Sequence, residues 1–89
     1  MKVLRKVKVK NTLGLHTRPA AAIVRLLQPR KSSVWFTCRE ETINARSIMS
    51  ILMLAAKKNT PITITAEGDD AEETVELLVQ AFEKEFGET

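Results

Sequence analysis

Tyrosine is absent from this 89-residue chain, and histidine, cysteine and tryptophan each occur once. The one cysteine, Cys38, closes no internal disulfide, and one Cys with one His falls short of the four ligands of a structural zinc site. These scarcities exclude a disulfide-stapled scaffold and a zinc-built fold, give no metal or cofactor to expect, and point to a reducing compartment. Long apolar runs are missing as well. The most apolar stretch, residues 48–56, is about half the length a membrane-spanning helix requires, and the opening MKVLRKVKVK lacks the apolar segment of a secretory leader. The expectation is a soluble, cytoplasmic protein with no membrane insertion.

Acidic residues are scarce in one part of the chain only. Residues 1–66 carry 13 Lys and Arg against 2 Asp and Glu, whereas residues 67–89 carry 1 against 9, so the net charge of +3 conceals +11 and −8. Such a split suits nucleic-acid binding, and it equally suits a small protein whose basic face meets acidic partners. The aromatics argue against the first. RNA-recognition sheets stack bases on exposed rings. Here two of the three phenylalanines, Phe82 and Phe86, fall in the last helical stretch, and the neighbours Trp35 and Phe36 point to opposite faces of a strand. No nucleic-acid partner is expected. Cys38, in mid-strand with no second histidine in the chain, reads as an inert buried thiol, so nothing suggests an enzyme acting alone.

Length and a 44% hydrophobic content fit a single domain over residues 1–89, with one modest core. In KVLRKVKV, residues 2–9, Val3, Val7 and Val9 share one side, the period-two pattern of a half-buried strand. Asn11, Thr12 and Gly14 then turn the chain. From Thr17 to about Gln28, the apolar residues Ala20, Ile23, Val24 and Leu27 recur at helical spacing, and Pro29 closes the segment. SVWFTC, residues 33–38, reads as a strand that turns through Arg39–Glu41 into a second strand. A short apolar helix follows from Ser47, its N-cap, to about Lys58, with Ile51, Leu54 and Ala55 facing the core. PITITAE, residues 61–67, alternates as a strand, and a last helix buries a seam of Ala71, Val75, Leu78, Val79, Phe82 and Phe86. The order β-α-β-β-α-β-α predicts an α+β fold, an antiparallel sheet with its helices on one face.

The lone histidine sits in GLHTRPAAA, residues 14–22, just before a helix start, with Thr17 as the expected N-cap and Pro19 in the first turn. Backbone amides of Thr17 and Arg18, the positive end of the helix dipole and the Arg18 guanidinium make an anion site there. The same field favours a neutral imidazole with a free lone pair, the state a phosphoryl acceptor needs. A bland reading, a capping or surface histidine, accounts for the local pattern too. Nothing nearby in the sequence supplies a second catalytic group.

The run NTLGLHTRPA resembles the signature of the HPr family, the histidine-containing phosphocarriers of the bacterial phosphoenolpyruvate:sugar phosphotransferase system (PTS). NARSIMSILMLAA, residues 44–56, resembles that family's second signature, the spacing from His16 to Ser47 agrees, and essentially the whole chain is covered. The resemblance implies an open-faced β-sandwich, a four-stranded antiparallel sheet covered on one face by three helices. It implies that His16 accepts a phosphoryl group on Nδ1 from phospho-Enzyme I and passes it to a sugar-specific EIIA domain, with Thr17 and Arg18 holding the phosphate. Leu15, Ile48, Met49 and Leu52 match the apolar patch that meets partners. Ser47 matches the serine that an HPr kinase/phosphorylase modifies in many family members. The carrier would be a monomer and a stoichiometric intermediate rather than a catalyst. Thr17, Ser50 and Asn59 stand where alanine or serine, glycine and glycine are common in the family. NTLGLH is also similar to the nitrogen-related paralogues, so the branch served stays open.

Overall fold

The computed structural model describes residues 1–88. Seven main elements follow in the expected order: β1 Lys2–Lys8, α1 Thr17–Leu27, β2 Ser33–Cys38, β3 Glu41–Asn44, α2 Ile48–Met53, β4 Pro61–Glu67 and α3 Ala71–Glu83, with a 3₁₀ turn at Glu85–Gly87. All three strand pairings are antiparallel, in the order β1-β4-β2-β3. The registers place Leu4, Thr65, Trp35 and Asn44 in one row across the sheet. The alternation that defines β2 and β4 sends Val34, Phe36, Cys38, Ile62, Ile64 and Ala66 inward. Against this face pack Ala20, Ile23 and Leu27 of α1, Ile51 of α2, and Ala71, Val75, Leu78 and Phe82 of α3. Phe82 meets Phe36 edge to face at 5.8 Å between ring centroids. The result is an α+β open-faced sandwich whose other sheet face carries Trp35, half-buried, among threonines and lysines.

Three sequence expectations are corrected. α2 stops at Met53 rather than near Lys58, because Ala55 turns into the left-handed region at φ 50° and the Ala56 carbonyl is claimed by Leu15 of another segment. Ala55 is consequently exposed and leaves the core. Phe86 does not continue the α3 seam, since the helix ends at Glu83. Its ring nevertheless returns to Phe82, 4.9 Å between centroids, so the segment after α3 folds back on the core.

Two polar pins hold the connections. The Arg46 guanidinium donates to the carbonyls of Leu27, Arg30 and Ser32 at 2.7–2.8 Å, satisfying the open end of α1 and the entry to β2. Asp70, at the start of α3, accepts from the Lys31 and Ser32 amides at 2.9 Å and from the Ser32 hydroxyl. The Ser32 hydroxyl above all, then the Lys31 amide, with smaller help from the Ser32 amide and Arg30, holds the Asp70 carboxyl far below the usual carboxylate range. A depressed folded pKa gives stability that is present above the unfolded value and lost as pH falls through the folded one. Asp70→Ala is therefore expected to lower Tm by several degrees at neutral pH. The gap from the parent chain should persist down to about pH 4, the unfolded carboxylate range, and narrow only below it; calorimetric melts across pH read this directly.

Candidate functional site

The loop that carries the histidine is stitched to the end of α2. After β1, Val9 exchanges hydrogen bonds with the strand β4 approach, donating to Thr60 and accepting from Asn59. The chain then turns, with the Gly14 amide donating to the Asn11 carbonyl at 3.0 Å and Gly14 at φ 71°. A Cβ on Gly14 would collide with the Ala56 carbonyl oxygen, so this position needs glycine for its conformation and for its close approach. Leu15 follows, its amide donating to that same Ala56 carbonyl at 3.0 Å.

His16 occupies the N-cap position of α1 with an extended backbone, φ −79° and ψ −165°, and its carbonyl accepts the Ala20 amide at 3.0 Å. Thr17 is thus the first residue of the helix and not its cap, which corrects the sequence expectation. The His16 side chain makes no capping hydrogen bond. The helix geometry gives the Thr17 and Arg18 amides no intrahelical acceptor, and Pro19 has no N–H to leave over. An uncapped helix start beside an imidazole, with the Arg18 side chain 79% exposed, is a cationic cradle open to an anion.

The imidazole has a partner that sequence reasoning missed. His16 Nε2 lies 2.8 Å from Glu88 Oε2 and 3.0 Å from Oε1. Asn11, buried, donates through Nδ2 to Glu88 Oε1 at 2.7 Å and to the Glu85 carbonyl at 2.8 Å. Arg18 Nε stands 3.9 Å from Glu88 Oε2. The Asn11 hydrogen bond first, then His16 and Arg18, hold the Glu88 carboxyl below the usual carboxylate range against the opposing effect of burial. The sequence around the histidine, which offers no second group, gives no hint of this contact. Glu88 is 72 residues from His16 in sequence, and no spacing rule links the two.

The second region sorts the expected docking residues. Ile48 and Met49 are exposed on α2, and Leu52 is half-buried against the core. Leu15 is only 3% exposed, so it is a core residue and not a surface contact; the apolar face of the loop belongs instead to Leu13, 75% exposed. Met53, 72% exposed, extends the surface of α2 and was not anticipated. Ser47 caps α2, its Oγ accepting the Ser50 amide at 3.2 Å, as the local sequence suggested.

A family model described as the PTS HPr component phosphorylation site matches residues 3–84, a span that contains both the His16 cradle and Ser47. The chain belongs to the HPr family. Phosphocarrier protein HPr of Chlamydia pneumoniae is 45% identical over 80 residues, which cover 90% of this chain and 74% of that one. HPr-C-His from Thermoanaerobacter tengcongensis, a solved structure, superposes with a TM-score of 0.93 at 37% identity, covering 98% of each chain. A structure described as an HPr dimer from the same organism gives 0.77 at 39% identity over 92% of this chain and 94% of that one. The four-stranded, three-helix architecture is thus the HPr open-faced β-sandwich, and the general role that comes with the family is that of a PTS phosphocarrier.

Gly14 tests how firmly the loop is fixed to the end of α2. Gly14→Ala is expected to cost at least about 1 kcal/mol in urea unfolding, since it adds an unfavourable left-handed conformation to a backbone collision. Amide shifts in spectra of the folded variant should move most at residues 14–18 and 54–57.

Proposed function

We propose that His16 takes a phosphoryl group at Nδ1 from phospho-Enzyme I and delivers it to a sugar-specific EIIA domain. The observation that carries this reading is the uncapped start of α1. A phosphate on the imidazole meets the free first-turn amides of Thr17 and Arg18, the positive helix end and a guanidinium with room to move. In the transfer, the Nδ1 lone pair forms the new P–N bond while the donor's bond to phosphorus breaks and its electron pair returns to the donor. The reverse exchange hands the group to the next carrier. An imidazole carrying a positive charge leaves phosphorus readily, so the intermediate keeps its transfer potential. The catalysts are the partner proteins, and the chain needs no cofactor of its own.

Docking falls to the apolar surface of α2, Ile48 and Met49 with the edge of Leu52, widened by Met53 and Leu13. Flexible methionines suit a surface that must fit Enzyme I and EIIA in turn. The basic character of residues 1–66 complements acidic partners and speeds encounter. Ser47 stands directly before Ile48 and Met49, so an HPr kinase/phosphorylase acting there would set roughly two negative charges at the edge of this patch. Arg46 is committed to three carbonyls and offers that phosphate no partner. The chain acts as a monomer in the cytoplasm.

Incubation with phosphoenolpyruvate, Mg²⁺ and Enzyme I, read by intact mass under alkaline conditions, tests the assignment. One acid-labile phosphate adduct is expected, lost in His16→Ala and kept in Ser47→Ala. Arg18→Ala should slow its formation by roughly 10- to 100-fold. An adduct that survives His16→Ala would overturn the reading. For the docking surface, Ser47→Asp is expected to raise the KM of Enzyme I for the chain several-fold with little change in kcat, as a charge that hinders encounter should.

A further inference from the structure

Nothing in the carrier reading requires the segment beyond α3, yet that segment is built onto the histidine. Glu85, Phe86 and Gly87 take three successive left-handed conformations, φ 55°, 54° and 79°, two of them at residues that disfavour the region. Such a path persists only where the surroundings over-determine it. Here Phe86 stacks edge-on against Phe82 from above the core. Asn11 spends both amide hydrogens on the segment, one on the Glu85 carbonyl and one on Glu88 Oε1. The outcome is a carboxylate, 18% exposed, delivered to within 2.8 Å of His16 Nε2.

We propose that Glu88, fixed by Asn11, is a positioning residue for the phosphoryl transfer, a role that rests on His16 being the acceptor. An ionised carboxylate accepts hydrogen bonds and donates none, so the contact requires the hydrogen on Nε2 and leaves the lone pair on Nδ1. That nitrogen has no hydrogen-bond partner among the described residues. As Nδ1 bonds to phosphorus and the donor's bond breaks, the ring keeps its Nε2 hydrogen and acquires a positive charge directly against the carboxylate. When the phosphoryl group departs, the P–N electron pair returns to Nδ1 and the charge vanishes, with no proton moved. Among the described residues, the His16 imidazole and the Arg18 guanidinium, both from the start of α1, face Glu88. Glu85 lines the same cleft with Thr12, Leu13 and Arg18. A phosphate held by Arg18 draws on the same guanidinium that Glu88 approaches at 3.9 Å, so the Asn11 hydrogen bonds are what keep Glu88 in place once the phosphate arrives.

Two measurements on the full chain test this, with Glu88→Ala, Glu88→Gln and Asn11→Ala. Proton and ¹⁵N NMR of the unphosphorylated imidazole is expected to show a slowly exchanging Nε2–H in the parent chain and in Glu88→Gln, which keeps an acceptor oxygen. The signal should broaden or vanish in Glu88→Ala. Phosphoryl acceptance from phospho-Enzyme I should fall about tenfold in kcat for Glu88→Ala, with the KM for the chain unchanged. Glu88→Gln should also lose rate, because it restores the hydrogen bond without the charge, and Asn11→Ala should shift both readouts in the same direction. Glu88→Ala accepting phosphate as fast as a normally labelled parent overturns the role of Glu88 and leaves the carrier reading standing. An Nε2–H signal indifferent to Glu88→Ala overturns it equally. A parent chain that takes no phosphoryl group overturns the carrier reading itself, whatever the imidazole signal shows, and this role falls with it.

Discussion

A single backbone carbonyl, that of Ala56, decides how the loop carrying the histidine is set against the rest of the fold. It accepts the Leu15 amide, and it lies where only a glycine at position 14 can pass. The contact ends α2 early, because the carbonyl is turned toward the loop and Ala55 must enter the left-handed region to present it. It also places the next residue, His16, at the start of α1 with an extended backbone and no capping side chain. A helix start normally finds a serine, threonine, aspartate or asparagine to satisfy its amides. Here an imidazole stands at that position, and the first-turn amides are left without an intrahelical acceptor.

The surroundings are arranged so that this junction does not drift. Arg46 closes the far end of α1 by taking three carbonyls, and Asp70 ties the turn before β2 to the start of α3. Such buried or half-buried polar networks are costly when incomplete and confer a unique geometry when complete. The exposed ion pairs Arg5–Glu76 and Lys10–Glu83 link β1 and its exit to α3 but contribute little to stability, being screened by water. Apolar packing of three helices on one sheet face supplies the stability, and the polar pins choose the loop positions. The site thus sits at the edge of a rigid layer pair, where a partner can approach and the histidine cannot wander.

Much of the fold was legible because its signals are local. The β-branched and aromatic residues of SVWFTC and the alternation in PITITAE report β2 and β4 within the strands themselves, and the 3.6-residue recurrence of Ala20, Ile23 and Leu27 reports α1. The end of α2 was not legible, since Ala55, Ala56, Lys57 and Lys58 are all acceptable in a helix and only a contact with residues 14 and 15 stops it. Leu15 was misplaced, and Met53 passed over, for a related reason. In a short, uniformly apolar segment the period is too brief to separate the buried face from the exposed one, and burial is settled by what lies opposite.

By itself, the sequence determined the element order, the inward faces of β1 and β4, the helix start at residues 16–19 and the presence of an imidazole and a guanidinium two residues apart. Those follow from propensity, periodicity and the fixed φ of proline, all of which act within a few residues. Only the tertiary structure decided that His16 rather than Thr17 fills the cap position, that Leu15 is core while Leu13 is surface, and that Glu88 reaches the imidazole. The last contact joins residues at opposite ends of the chain. It exists because Phe86 finds the core beside Phe82 and Asn11 finds two acceptors in the returning segment. Such a meeting depends on how whole elements pack, and no local pattern encodes it.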